Sequence, residues 1–196
     1  MRPLPASLRR FSATLRRFGR AQKAAAAVEF ALILPVMLTL YVGSIELSAA
    51  FSMDQRVITI AGTVGDLVAR TNGTLAASDL TNYFQAAQAI MAPYSPTKLE
   101  QVVSVVAVDS SGNTKVEWSV GYNGGSAQTC GQPYSTVHPI PTAMTNISEG
   151  SIIIVSEASY VYPPLLGLFF KNSFNFYHQN FYLPRYDKDI PYSSGC

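Results

Sequence analysis

A single carboxylate, Glu29, stands at the head of a long apolar run, just after the four alanines Ala24 to Ala27. A charge at the edge of such a run needs a partner or an aqueous boundary. If the chain were cut between Ala24 and Ala25, the new α-amino group would lie four residues before Glu29. Among parallel helices that cation could pair with a neighbour's carboxylate and set the axial register. The plainer reading is a glutamate tolerated at a lipid interface.

The other chemistry-bearing residues are sparse. His138 and His178 lack acidic neighbours in sequence, and no Gly-rich phosphate loop opens a helix. Cys130 and Cys196 are the only cysteines and form no Cys-x-x-Cys pair. They allow one intramolecular disulfide in an oxidising compartment, or two separate thiols. Asp109-Ser110-Ser111-Gly112-Asn113 resembles the Asp-x-Ser-x-Ser metal loop of von Willebrand A domains. A strand follows within a few residues, however, where that fold would need a helix. The run therefore reads as a turn. These residues imply no metal, no cofactor, no small-molecule substrate and no enzyme.

Charge locates the chain. Seven bases and no acid precede residue 24, whereas the remainder holds seven bases against twelve acids, a net of −5. A basic arm alone would suit nucleic acid, but the apolar segment behind it indicates a membrane and no nucleic-acid partner. The uninterrupted stretch Phe30 to Ile45 would measure roughly 24 Å as a helix. Glu29 and Glu46 would then lie near opposite interfaces. Basic residues mark the cytoplasmic side, which places the body of the chain outside. The expected division is a basic cytoplasmic leader at 1–23, a transmembrane helix at 24–51 and an extracytoplasmic domain at 52–196. A secretory signal cut near Ser48-Ala49-Ala50 is the rival to a retained anchor.

The elements that must position these residues follow from periodicity. Val57, Ile60, Ala61, Val64, Leu67 and Val68 recur at helical spacing, so one helix is expected from about Ala24 to Thr71, with Asn72-Gly73 as its stop. Pro35 should kink it or free a carbonyl. A second helix, capped by Ser78 and ended by Pro93, would bury Leu80, Phe84, Ala87 and Met91. Beyond Pro96 the period becomes two. Val102 to Val108 and the alternating Val116, Trp118, Val120, Tyr122 form a hairpin. Ser151 to Tyr162 and Phe174 to Tyr182 add two strands. The fold class is α+β: a long N-terminal membrane helix continuing into a small, mainly antiparallel sheet domain. The aromatics from Tyr160 to Tyr192 serve as core or as a contact surface for sister subunits.

The block Ala26-Ala27-Val28-Glu29-Phe30-Ala31-Leu32-Ile33-Leu34-Pro35 resembles the N-terminal signature of the TadE-like pseudopilins of tight-adherence (Tad) pilus systems. Gly65-Asp66-Leu67-Val68-Ala69-Arg70, Val116-Glu117-Trp118-Ser119, Glu157 to Pro164 and Leu183-Pro184-Arg185 extend the similarity. The resemblance implies a pilin-like fold and a minor pseudopilin or assembly factor of a type IVb-like pilus. It implies the bacterial inner membrane as location, with incorporation into a surface pilus as one outcome. It further implies cleavage between Ala24 and Ala25 by a prepilin-type peptidase that recognises Glu29. The implied partners are other pilin or pseudopilin subunits and the assembly machinery. In place of the glycine usual before the cut, this chain has Ala24. The alternative is an uncleaved, single-pass, membrane-anchored structural protein.

Overall fold

The computed structural model describes residues 22–164, 166–168, 170–186 and 189–195. The chain divides into two compact units, 1–48 and 49–196. Helix α1, Gln22–Ala69, contributes to both and runs on through Pro35. The expected leader falls almost wholly outside the described residues.

In the second unit α1 has one buried stripe. Met53, Val57, Ile60, Ala61, Val64 and Val68 are each at most 1 % exposed. Their three- and four-residue spacing puts them on one face, which packs on a sheet. Asp66 binds Arg70 at 2.7 Å, an i,i+4 pair in the last turn. The chain then turns through Gly73 at φ 83°, a left-handed conformation that glycine adopts without strain.

Helix α2 spans Ala77–Gln88 and buries Leu80, Phe84 and Ala87. Ser78 lies inside it and does not cap it. The position before the helix is Ala76, whose carbonyl accepts from Asp79 and Leu80. The orphan amide of Ala77 donates instead to Ser193 Oγ at 3.0 Å, so the C-terminal segment supplies the cap.

Strands β1 (Leu99–Val108), β2 (Thr114–Tyr122), β3 (Ser151–Tyr162) and β4 (Phe174–Tyr182) form one antiparallel sheet in the order β2-β1-β3-β4. The structure thus bears out the α+β class, a long apolar helix followed by an antiparallel sheet. The inner face, with Leu99, Val103, Val105, Trp118, Ile154, Ala158 and Tyr160, closes against α1 and α2.

The even alternation expected along β2 breaks at Glu117. Val105 opposes Trp118 whereas Val106 opposes Val116, so Glu117 is an extra residue. This bulge turns Val116 to the outer face, where it packs with Val106, Val108, Ile153 and Val155. Tyr134, Ile140 and Met144, from the segment between β2 and β3, cover that outer cluster. The same segment holds a short helix, α3 (Thr142–Ile147).

The free edge of β2 is also covered. Val116 N–H donates to Gln132 at 2.9 Å, and Gly131 N–H donates back to Val116 at 2.8 Å. A Cβ on Gly121 would stand 1.8 Å from the Gly125 carbonyl oxygen, so only glycine permits this approach.

The Asp109 turn closes the hairpin. Its carboxylate accepts from the amides of Ser111 (2.8 Å) and Asn113 (2.9 Å) and from Asn113 Nδ2 (2.9 Å). Hydrogen bonds from Asn113 and Ser111 hold its pKa below the ordinary 3.8. A folded-state pKa that is depressed gives stabilisation present above 3.8 and lost as pH falls through the lower folded value. Acidification below the folded-state pKa should therefore lower the protection factors of the Ser111 and Asn113 amides. Asp109→Asn should remove that pH dependence, as NMR exchange measurements would show.

Candidate assembly site

Ala25 to Leu40 is exposed throughout the first unit. The exposed side chains include Phe30 at 64 %, Leu32 at 70 %, Leu40 at 61 % and Tyr41 at 65 %. The stretch Ala25–Ala69 reaches a mean hydropathy of 2.1 in a window of which none is buried. A core helix of the same composition would hide that surface in its own fold. An all-round apolar helix left bare is one built for lipid or for other helices.

Two hydroxyl groups of this stretch are satisfied inside the helix, as such surroundings require. Thr39 Oγ1 donates to the Pro35 carbonyl at 2.7 Å, and Ser44 Oγ donates to that of Tyr41 at 2.7 Å. Pro35 has no N–H, so the Ala31 carbonyl lacks its i+4 donor.

Glu29 is exposed on this helix, one turn beyond Ala25, which is also exposed. Ala24 and Glu29 both lie on α1. Glu46 differs from expectation: it is 2 % exposed, off both lipid and water. It falls one turn before Ala50, on the face that continues as Met53 and Val57.

In the second unit, polar contacts fix α1 on the sheet. His178 Nε2 lies 2.6 Å from Asp54 Oδ1, Asn180 Nδ2 donates to the Ile58 carbonyl at 3.2 Å, and Arg185 pairs with Asp66. Arg56 donates to the carbonyls of Ile90 (2.5 Å) and Ala92 (2.7 Å). Its guanidinium also lies over the Tyr94 ring, 5.8 Å from the centroid.

Residues 24–63 match the TadE-like protein family. No curated protein and no solved structure matches the chain. The TadE-like segment contains the Ala24-Ala25 junction, Glu29, the exposed apolar run and the first turns of the packed stripe. The resemblance read from Ala26 to Pro35 falls inside it. The sheet lies beyond it, so the description of the sheet rests on the structure.

Sequence reasoning missed a polar network on the outer face of the sheet. Tyr134 donates to Glu157, and Gln179 Nε2 donates to Tyr134 Oη at 3.0 Å. Burial, and then the neighbouring Glu157 carboxylate, push the Tyr134 phenol far above 10, and the same causes raise Tyr177. His138 stacks on Tyr177 at 4.1 Å. Partners 20 to 45 positions apart make this network, and no local spacing marks it.

Among the described residues, no group of three His, Cys, Asp or Glu could hold a metal ion. Cys130 is half-buried after β2, and Cys196 lies outside the described residues.

Proposed function

We propose that the chain is a minor pseudopilin or assembly factor in Tad pilus biogenesis, acting by helix packing in the membrane and subunit contacts outside it. The observation that carries this reading is the bare apolar stretch of α1 with one exposed carboxylate, Glu29, beside a small-residue junction. An apolar surface of this kind gains by burial, and Glu29 adds a directional, charge-assisted contact that hydrophobicity cannot supply. The match to the TadE-like family supports the same assignment.

On this reading residues 1–23 form a cytoplasmic leader, 24–51 cross the bacterial inner membrane and 52–196 lie outside it. A prepilin-type peptidase cuts between Ala24 and Ala25, and the freed amine pairs with Glu29 of a neighbouring pilin or pseudopilin subunit. The chain performs no catalysis. Outside the membrane, Cys130 and Cys196 form one disulfide. Non-reducing peptide mapping should recover that linked pair, and two alkylated thiols would sink it.

Intact mass of the protein extracted from its native membrane tests the core of the proposal. A chain beginning at Ala25 is expected. Retention of the basic arm would leave an uncleaved anchored protein instead, and a start near Phe51 would exclude both.

A further inference from the structure

On the outer face of the sheet, Glu100 of β1 stands opposite Ser159 of β3, which stands opposite Tyr177 of β4. One step along, Val102 stands opposite Glu157. Glu100 and Glu157 are therefore diagonal neighbours on one face, with backbones about 7–8 Å apart. A cavity of about 340 Å³ opens over them, and Gly125, His138, Ser159 and Tyr177 also line it. Ligand pockets run from about 300 to 1,000 Å³, so this one suits a single side chain better than a cofactor.

No lysine or arginine lines the cavity. Among the described residues neither carboxylate forms an ion pair. Glu100 accepts from Ser159 Oγ at 3.2 Å, and Glu157 accepts from Tyr134 and from Gln179 at 3.4 Å. All three donors are neutral, so no cation offsets the acids, and a cleft lined by one sign of charge concentrates counter-ions. Independently, Tyr177 Oη, which also feels Glu157, is buried without a well-formed hydrogen bond. Such an orphan calls for a partner, and a donor entering the cavity would supply one. His138 is exposed and stacks on Tyr177, which gives the cavity a flat aromatic surface.

We propose that this cavity binds a guanidinium group, carried on an arginine side chain of another polypeptide. The planar ion bridges Glu100 and Glu157 through its forked donors and lies against the aromatic pair. A lysine brings the same charge as a compact, strongly hydrated point and has no plane to stack, so it is the poorer ligand. The site lies wholly within the second unit and stands without the membrane reading of α1.

The test titrates the isotope-labelled full chain, in nonionic detergent, with four probes followed by NMR. They are a blocked glycyl-arginyl-glycine peptide, its lysine and norleucine counterparts, and spermidine. The arginine peptide should move the Gly125 and Ser159 amide resonances along saturating curves, the lysine peptide should bind more weakly, and the norleucine peptide should leave them in place. Glu100→Gln and Glu157→Gln should each weaken binding about ten- to a hundredfold, since each removes a hydrogen bond to a charged group. Glu149→Gln, at an exposed position outside the cavity, should change nothing. The near-ultraviolet signal of Trp118 reports that each variant is folded.

Equal weakening by Glu149→Gln would reduce the effect to net charge, and an equal response to the norleucine peptide would make the cavity an apolar groove. Either result overturns the proposal. A lysine peptide that binds as well as arginine overturns the guanidinium assignment. Tighter binding of spermidine than of the arginine peptide would make the source a free polyamine and overturn the side-chain assignment. If no probe gives a saturable shift, the cavity is not a cation site.

Discussion

Glu29→Ala is expected to leave the protein in the membrane while surface pili fall by roughly a hundredfold or more. Removing one partner of a charge pair held away from water costs about 3–5 kcal/mol, because the other charge is left uncompensated. Each 1.4 kcal/mol is about tenfold in an equilibrium, which gives the size of the expected loss. The carboxylate is exposed in the single chain, so its substitution disturbs no packing there. Glu29→Gln should fail as alanine does, and Glu29→Asp should recover part of the assembly. The measurement is the amount of pilus sheared from cells, set against the amount of membrane-bound subunit. Wild-type piliation in the alanine variant would reduce Glu29 to a glutamate tolerated at the interface.

Phe84→Ala should lower stability by about 3–5 kcal/mol, the range for emptying an aromatic site in a packed core. Phe84 is 1 % exposed, and its ring stacks on Tyr122 with centroids 5.1 Å apart. It belongs to the cluster that seals α1 and α2 to the inner face of the sheet. For a domain of this size the melting temperature should fall by roughly 10 °C. Near-ultraviolet circular dichroism of the detergent-solubilised chain would follow the transition. Phe51→Ala is the companion variant: Phe51 is 62 % exposed, and its loss should change the domain's stability by less than about 0.5 kcal/mol. Equal losses in the two variants would show that Phe84 is not packed as described.

Much of the architecture was legible in the sequence because it is local. The expected bounds of β3 and β4 coincide with the observed strands, since Pro163-Pro164 and Pro184 end the runs that precede them. The period of three and four from Val57 to Val68 marked the face of α1 that meets the sheet, although nothing in it named the sheet. The Asp109 turn was also readable, because a short side chain bonds amides two and four residues on. The candidate assembly site was more legible still. Glu29 and the junction share one helical stretch, and there sequence distance is spatial distance.

What escaped the sequence depends on residues far apart along it. Ser78 is a good capping residue, yet Ser193 meets the first amide of α2. Trp118 Nε1 donates to the Ile190 carbonyl at 2.7 Å, a contact across 72 residues. Glu46 looked like the mate of Glu29 at the far interface and is buried instead. Val116 alternated with Trp118 on paper, but the bulge at Glu117 put the two on opposite faces.

By itself the sequence determined a long apolar helix headed by Glu29 and the bounds of β3 and β4, because these depend on neighbours within a turn or two. The tertiary structure alone decided the order β2-β1-β3-β4 and the face each side chain takes after the bulge. Strand partners are chosen by whole-surface burial between distant segments, and a period of two is the same whichever strand lies alongside.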